Sequence, residues 1–213
     1  VDMIAEILFA SGNKGKISEI REIASEFPSI KILAPLELSE VISKNGSPPD
    51  VVEDGVTYEE NAALKSRAFF AWSNIPSLAD DAGLEVLALN GAPGVISARY
   101  AGEPSNAQNN IDKLLKELSG VKDRRAKFVS FLNLKISDRK GEVVEIVAQA
   151  SLEGEIALVP SGAGGFGYDP IFIPTGHKES LSALKERGIK VPTHRILSTR
   201  KLFTELKRQS LLK

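Results

Sequence analysis

Two acids standing side by side, Asp80 and Asp81, carry the sharpest chemical signal in this sequence. They follow an apolar stretch, Ser77-Leu78-Ala79, and precede Ala82 and Gly83, a pattern that predicts a strand ending in a turn. Successive strand residues face opposite ways, so one acid is expected to hold a metal ion while the other activates water. A carboxylate beside a divalent cation stays ionised, and a metal-bound water loses its proton more readily. Two acids closing a surface turn would look the same, so the pair must be weighed with its neighbours. Five acids (Asp50, Glu53, Asp54, Glu59 and Glu60) and no base fall between Asp50 and Leu64. Nine bases and only two acids lie between Lys185 and Lys213. A metal-chelated polyphosphate is a ligand that would want both, although each run alone also suits a solvated surface.

Three further segments have ligand-binding character. Ser11-Gly12-Asn13-Lys14-Gly15-Lys16 joins an apolar strand to a helix. Small residues there let backbone N–H groups approach an anion, and Lys14 and Lys16 can neutralise phosphates. The glycine spacing and the lack of Ser or Thr after the lysine exclude a P-loop. Downstream, Asn61 and Lys65 stand one helical turn apart, with Arg67 nearby. Ser161 to Pro170 contains a literal G-x-G-x-x-G, but a strand-like segment with Pro170 follows it and no helix does. That context excludes a Rossmann site. The loop instead offers Phe166 and Tyr168 as rings on which a base can stack. Thr193-His194-Arg195, with Lys190 just upstream, opens the final basic helix and supplies hydrogen-bond donors. The two histidines, His177 and His194, are too far apart in the chain to suggest a zinc centre.

The elements that must position these groups can be read in order. Strands are predicted over 4–11 and 30–34, with a helix between them carried by Ile17, Ile20, Ala24 and Phe27. Residues 43–54, with Gly46, Pro48 and Pro49, predict a loop. Thr57 and Glu60 form a capping-box signature that opens a helix to about Ser73. Strands are expected at 77–80 and 84–88, a helix over 105–118, and long strands over 128–136 and 142–158. The turn Ser137-Asp138-Arg139-Lys140-Gly141 suggests an antiparallel hairpin between the long strands. A short strand at 170–173 and a helix after His194 complete the pattern. The fold class is α/β: a mixed β-sheet flanked by helices, in two lobes around a cleft. Bulk composition agrees, with 42% apolar and 26% charged residues in a chain of 213, read as a single domain of two lobes. No run approaches the roughly 18 apolar residues of a membrane span. A net charge of −1 speaks against coating a nucleic-acid backbone, and the absence of cysteine excludes disulfides and thiol chemistry. Lack of a secretory leader pattern adds the expectation of a cytoplasmic protein.

Taken together, SGNKGK, EDGVTYEENAALKSRA, SLADDAGLEV, GAPGVISARYAG, GGFGYDPIF and THR resemble, in this order, the inosine triphosphate pyrophosphatase family. The resemblance implies hydrolysis of ITP, dITP and XTP to the monophosphate and pyrophosphate, with Mg²⁺ as cofactor and a homodimer as assembly. It assigns the triphosphate to Ser11, Gly12, Asn13, Lys14, Gly15 and Lys16, with Lys16 and Lys65 as the phosphate-binding lysines. Glu53 and Asp81 match the metal-site acids, Asp81 the general base, and Asp80 its assistant. Phe166, Gly167, Tyr168, Asp169, His194 and Arg195 match the nucleobase pocket. Three positions depart from the family pattern. Ala82 stands where a serine is usual, which removes one hydroxyl from the substrate pocket. Thr193 replaces serine but keeps the hydroxyl, and Lys190 lies four residues before His194 rather than five. Two competing readings remain: a septum-formation-inhibitor-like pyrophosphatase of other nucleotides, and a non-catalytic nucleotide-binding module.

Overall fold

The computed structural model describes residues 4–137, 141–163 and 166–211. Six strands hydrogen-bond in the order β2-β1-β3-β4-β5-β6: β1 Glu6–Phe9, β2 Lys31–Leu33, β3 Ser77–Val86, β4 Arg125–Ser137, β5 Val143–Ile156 and β6 Phe172–Pro174. The helices are α1 Lys14–Ala24, α2 Ser39–Asn45, α3 Tyr58–Ser73, α4 Ala107–Glu117, α5 Leu181–Glu186 and α6 His194–Arg208. β1 pairs in parallel with β2 and with β3, whereas β5 and β6 run antiparallel, so the sheet is mixed as the sequence led one to expect. Among the described residues no helix is long and apolar enough to cross a membrane.

Two compact units share the chain. The first comprises Val1–Asp81, Ser130–Ala150 and Arg195–Lys213. Its core joins Ile7 and Phe9 of β1 to Ile17, Ile20 and Ile23 on one face of α1, Leu132 and Leu134 of β4, and Leu202 and Phe203 of α6. A smaller cluster sets Phe69 and Trp72 of α3 against Leu8, Leu33 and Ala79. Apolar burial of this kind stabilises by roughly 25 cal/mol per Å² and fixes each helix on its strand. α1 starts where Asn13 caps it, its Oδ1 accepting from the Lys16 amide at 3.1 Å. α3 starts with the capping box foreseen from Thr57 and Glu60, each side chain accepting from the other's backbone. Loss of the Thr57 hydroxyl in Thr57→Ala is expected to cost about 1 kcal/mol, seen as a lower urea midpoint at unchanged slope. Ser66 anchors the middle of α3, its Oγ lying 2.6 Å from Asn133 Oδ1 of β4.

The second unit comprises Ala82–Val129 and Ser151–His194. Leu84 and Val86 of β3, Leu114 and Leu118 around α4, Phe128 of β4 and Phe172 of β6 make its core. Arg124 ties strand ends together, donating to the carbonyls of Leu118, Ile156 and Ala157.

Three local expectations need correction. Residues 43–45 are not loop, because α2 runs to Asn45 before Gly46 turns the chain at φ 80°. Its only inward-facing apolar residues, Val41 and Ile42, give too short a period to be read. β3 is one strand through Ala82 and Gly83 rather than two strands around a turn, and it ends at Val86. β1 pairs with it at Ser77 and Leu78, and its other neighbour, β4, lies beside the strand in the sheet, where paired backbone has no need to turn. α5, unforeseen, is capped by Ser180. β4 and β5 are sheet neighbours, but Asp138, Arg139 and Lys140 of the expected turn lie outside the described residues. So do Gly164 and Gly165 of the glycine-rich loop.

Candidate active site

β3 carries Asp80 and Asp81 at successive positions within the strand, and the pleat gives each its own partners. The Asp80 side chain has no exposure to solvent. Its Oδ1 accepts from Ser130 Oγ at 2.7 Å, and its Oδ2 lies 2.9 Å from Arg195 Nε and 3.2 Å from Lys16 Nζ. Arg195 also donates through Nη1 to Glu19, and Ser130 shares a 2.8 Å hydrogen bond with Ser198. Burial alone would raise the Asp80 carboxyl. Arg195 and Lys16, helped by Ser130, outweigh burial and hold it far below the usual carboxylate range. Lys16 is lowered by burial, against the pull of Asp80.

Asp81 lives in a different field. Its Oδ2 accepts from Asn61 Nδ2 at 3.1 Å, and its Oδ1 stands 4.0 Å from Lys65 Nζ. Lys65 also lies 3.1 Å from Glu53 Oε2 and donates to the Asp80 carbonyl at 2.8 Å. Burial pushes the Asp81 carboxyl up, Lys65 and Asn61 oppose, and Glu53 and Asp80 add to the rise. Consecutive carboxylates are thus driven in opposite directions, the pattern by which one fold assigns different tasks to two acids.

Among the described residues, no group of three or more histidine or acidic side chains is placed to hold a metal ion alone. Glu53 and Asp81 nevertheless flank one ammonium, which marks the space between them as suited to positive charge. Two oxygen donors also match the habit of Mg²⁺, which takes one or two carboxylates and fills its octahedron with phosphate and water.

The first unit therefore brings Lys16, Glu53, Lys65, Asp80, Asp81 and Arg195 into two adjoining clusters. Ser11 and Asn13 shape the turn before them, Ser11 Oγ accepting from the Asn13 amide at 3.1 Å. Gly12, Lys14 and Gly15 are exposed at the opening of α1. In the second unit, Phe166 is 60% exposed, so its ring is available for stacking. Asp169 Oδ2 accepts from the Phe166 amide at 2.9 Å and from Lys185 Nζ at 2.7 Å. Gly167 turns the loop at φ 59°. Tyr168 is buried and donates to the Ser97 carbonyl at 2.8 Å. His194 stacks on Phe128 with ring centroids 4.9 Å apart. Ala82 is half-buried and Lys190 is exposed.

Several contributors escaped the sequence reading. Glu19 lies three residues from Lys16 on α1, and helical spacing could have found it. Ser130 and Ser198 come from β4 and α6 with no local pattern to betray them. Lys185, which carries no motif of its own, is paired with Asp169.

The Ham1 family pattern matches residues 7–205. The chain belongs to the Ham1 family. A curated relative, the dITP/XTP pyrophosphatase of Staphylococcus aureus, is 43% identical over 183 residues, covering 85% of this chain and 87% of the relative. The solved Ham1 protein of Staphylococcus aureus superposes with a TM-score of 0.79 at 40% identity, over 96% of this chain and 99% of the other. The HAM1 protein of Coxiella burnetii gives 0.80 at 35% identity, over 96% and 100%. The resemblance read from the ordered motifs is borne out, and with it the Ham1 fold class.

Proposed function

We propose that this Ham1-family chain hydrolyses non-standard purine nucleoside triphosphates (ITP, dITP and XTP) to the monophosphate and pyrophosphate, and so clears them from the nucleotide pool. The observation that carries the reading is the divided pair on β3: Asp80 locked in a cationic network, Asp81 beside Lys65 and Glu53 with its carboxyl pushed up. The names of the relatives support the substrate class.

Asp81 takes a proton from water, and the water oxygen attacks the α-phosphorus. The bond from that phosphorus to the bridging oxygen breaks, and pyrophosphate leaves. Lys16 and Lys65 set positive charge against the phosphates, and positioned charge is the main catalytic resource in phosphoryl transfer. Asp80 and Arg195 keep Lys16 in place. Glu53 and Asp81 would hold Mg²⁺, which supplies charge neutralisation on the polyphosphate when bound. Ser11, Gly12, Asn13, Lys14 and Gly15 offer backbone and side-chain donors to the phosphate chain.

The base is assigned to Phe166, Gly167, Tyr168, Asp169, Lys190, His194 and Arg195, with Ala82 beside the acids, on the strength of the motif resemblance. Inosine and xanthine carry a carbonyl at position 6 where adenine carries an amine, so donor groups favour them. The same reading takes the protein as a cytoplasmic homodimer working on free nucleotides, without nucleic-acid or membrane partners. A pyrophosphate-release assay with Mg²⁺ over ITP, XTP, dITP, GTP and ATP tests it. ITP is expected to exceed ATP in kcat/KM by at least ~10²-fold, since unpaired polar groups reject the wrong base. Equal cleavage of ATP and ITP would discard the base assignment.

A further inference from the structure

We propose that Asn61 is a positioning residue that sets the Asp81 carboxylate and the Glu53-bearing loop in one register. The proposal rests on the catalytic reading of Asp81 and extends it. Asn61 is 1% exposed and stands one turn before Lys65 on α3. Its amide is used at both ends. Nδ2 donates to Asp81 Oδ2 at 3.1 Å, and Oδ1 accepts from the Gly55 amide at 2.9 Å. Nδ2 also approaches the Gly55 carbonyl at 3.4 Å. One side chain thus ties a reactive carboxylate to the backbone two residues beyond Glu53.

The loop is fitted to this contact. A Cβ on Gly55 would stand 2.6 Å from Asn61 Oδ1 and 2.8 Å from Glu60 Cβ, so only glycine lets the backbone come so near. Glu60 reinforces the placement, its Oε2 accepting from the Val56 and Thr57 amides at 2.7 and 3.2 Å. Val51 packs against the Phe69–Trp72 cluster, but Val52 and Val56 are 75% and 81% exposed, so beyond Val51 the loop gains little from apolar burial and its polar ties matter more. By engaging Oδ2, Asn61 leaves Oδ1 of Asp81 as the oxygen directed at Lys65, and the carboxylate cannot rotate without breaking a buried hydrogen bond.

Two variants separate the two ends of the amide. Asn61→Ala removes both. Asn61→Asp keeps an acceptor for the Gly55 amide but replaces Nδ2, the donor to Asp81 and to the Gly55 carbonyl, with a carboxylate oxygen facing Asp81. Residues that orient catalytic groups typically contribute about 10–100-fold. Both variants are therefore expected to lower kcat for ITP by about that factor with KM nearly unchanged. Amide hydrogen exchange at Gly55, which needs no substrate, should quicken in Asn61→Ala and stay slow in Asn61→Asp. Circular dichroism and Tm report whether either variant stays folded. Wild-type kcat in Asn61→Asp, or unchanged Gly55 protection in a folded Asn61→Ala, overturns the proposal. Absence of ITP turnover by the wild-type protein would instead sink the activity, and the exchange result would still decide the role of Asn61.

Discussion

Asp81→Asn is expected to slow pyrophosphate release from ITP by roughly 10²–10⁴-fold, the usual worth of a positioned general base. Oδ1 of the new amide can still accept from Asn61, so the local packing survives while the proton acceptor is gone. Stability should move the other way. The Asp81 carboxyl is raised by burial, which means the folded state holds its proton more tightly than the unfolded chain does. Stability attributable to this group is present at acid pH and is lost as pH climbs from the ordinary carboxylate range through the higher folded value. At neutral pH the ionised side chain is therefore a burden that asparagine removes. Tm of Asp81→Asn should equal or exceed that of the wild type, with the gap widening as pH rises through that window. Loss of function joined to a gain in stability is the mark of a group kept for chemistry. Unimpaired turnover in this variant would discard Asp81 as the base, and a marked fall in Tm would contradict the field described for it.

Asp80→Asn should show the reverse emphasis. Asparagine leaves Arg195 and Lys16 facing each other without the carboxylate that holds them, with the Arg195 side chain only 5% exposed. Stripping one partner from a buried ionic cluster costs about 3–5 kcal/mol. For a chain of this length that corresponds to a fall in Tm on the order of 10 °C. The pH dependence has its own sign. A carboxyl held below its usual range contributes stability that is fully present above the ordinary carboxylate value and lost as pH falls toward the folded one. The Tm gap between wild type and Asp80→Asn should therefore stay constant from neutral to mildly acid pH and close only below it. Equal Tm values at neutral pH would show that Asp80 is not the clamp of the cationic network.

Much of this arrangement was legible in the linear sequence, because the signals were local. The Thr57–Glu60 capping box, the helix after Asn13 and the last helix opening at His194 each depend on residues within one turn. The ordered motifs led to the family. What escaped was set by distant partners. Ala82-Gly83 reads as a turn until β4 is known to lie beside the strand in the sheet. Ser130 and Ser198 are unremarkable serines until the fold sets Ser130 between Asp80 and Ser198. Asn61 was visible beside Lys65, but its bond to Gly55 requires a loop whose path no periodicity encodes. Lys185 pairs with Asp169 only because α5, too short to leave a periodic signature, brings it there.

The contrast between the two carboxylates depends on nothing more than the alternation of a pleated ribbon. Sliding Ser77–Val86 by one position would turn every side chain on it to the opposite face, so that Asp80 took the place of Asp81 while Asp81 moved on to that of Ala82. Adding or removing one residue in this segment would therefore misplace both acids at once, whereas a single exchange elsewhere on it leaves their register intact.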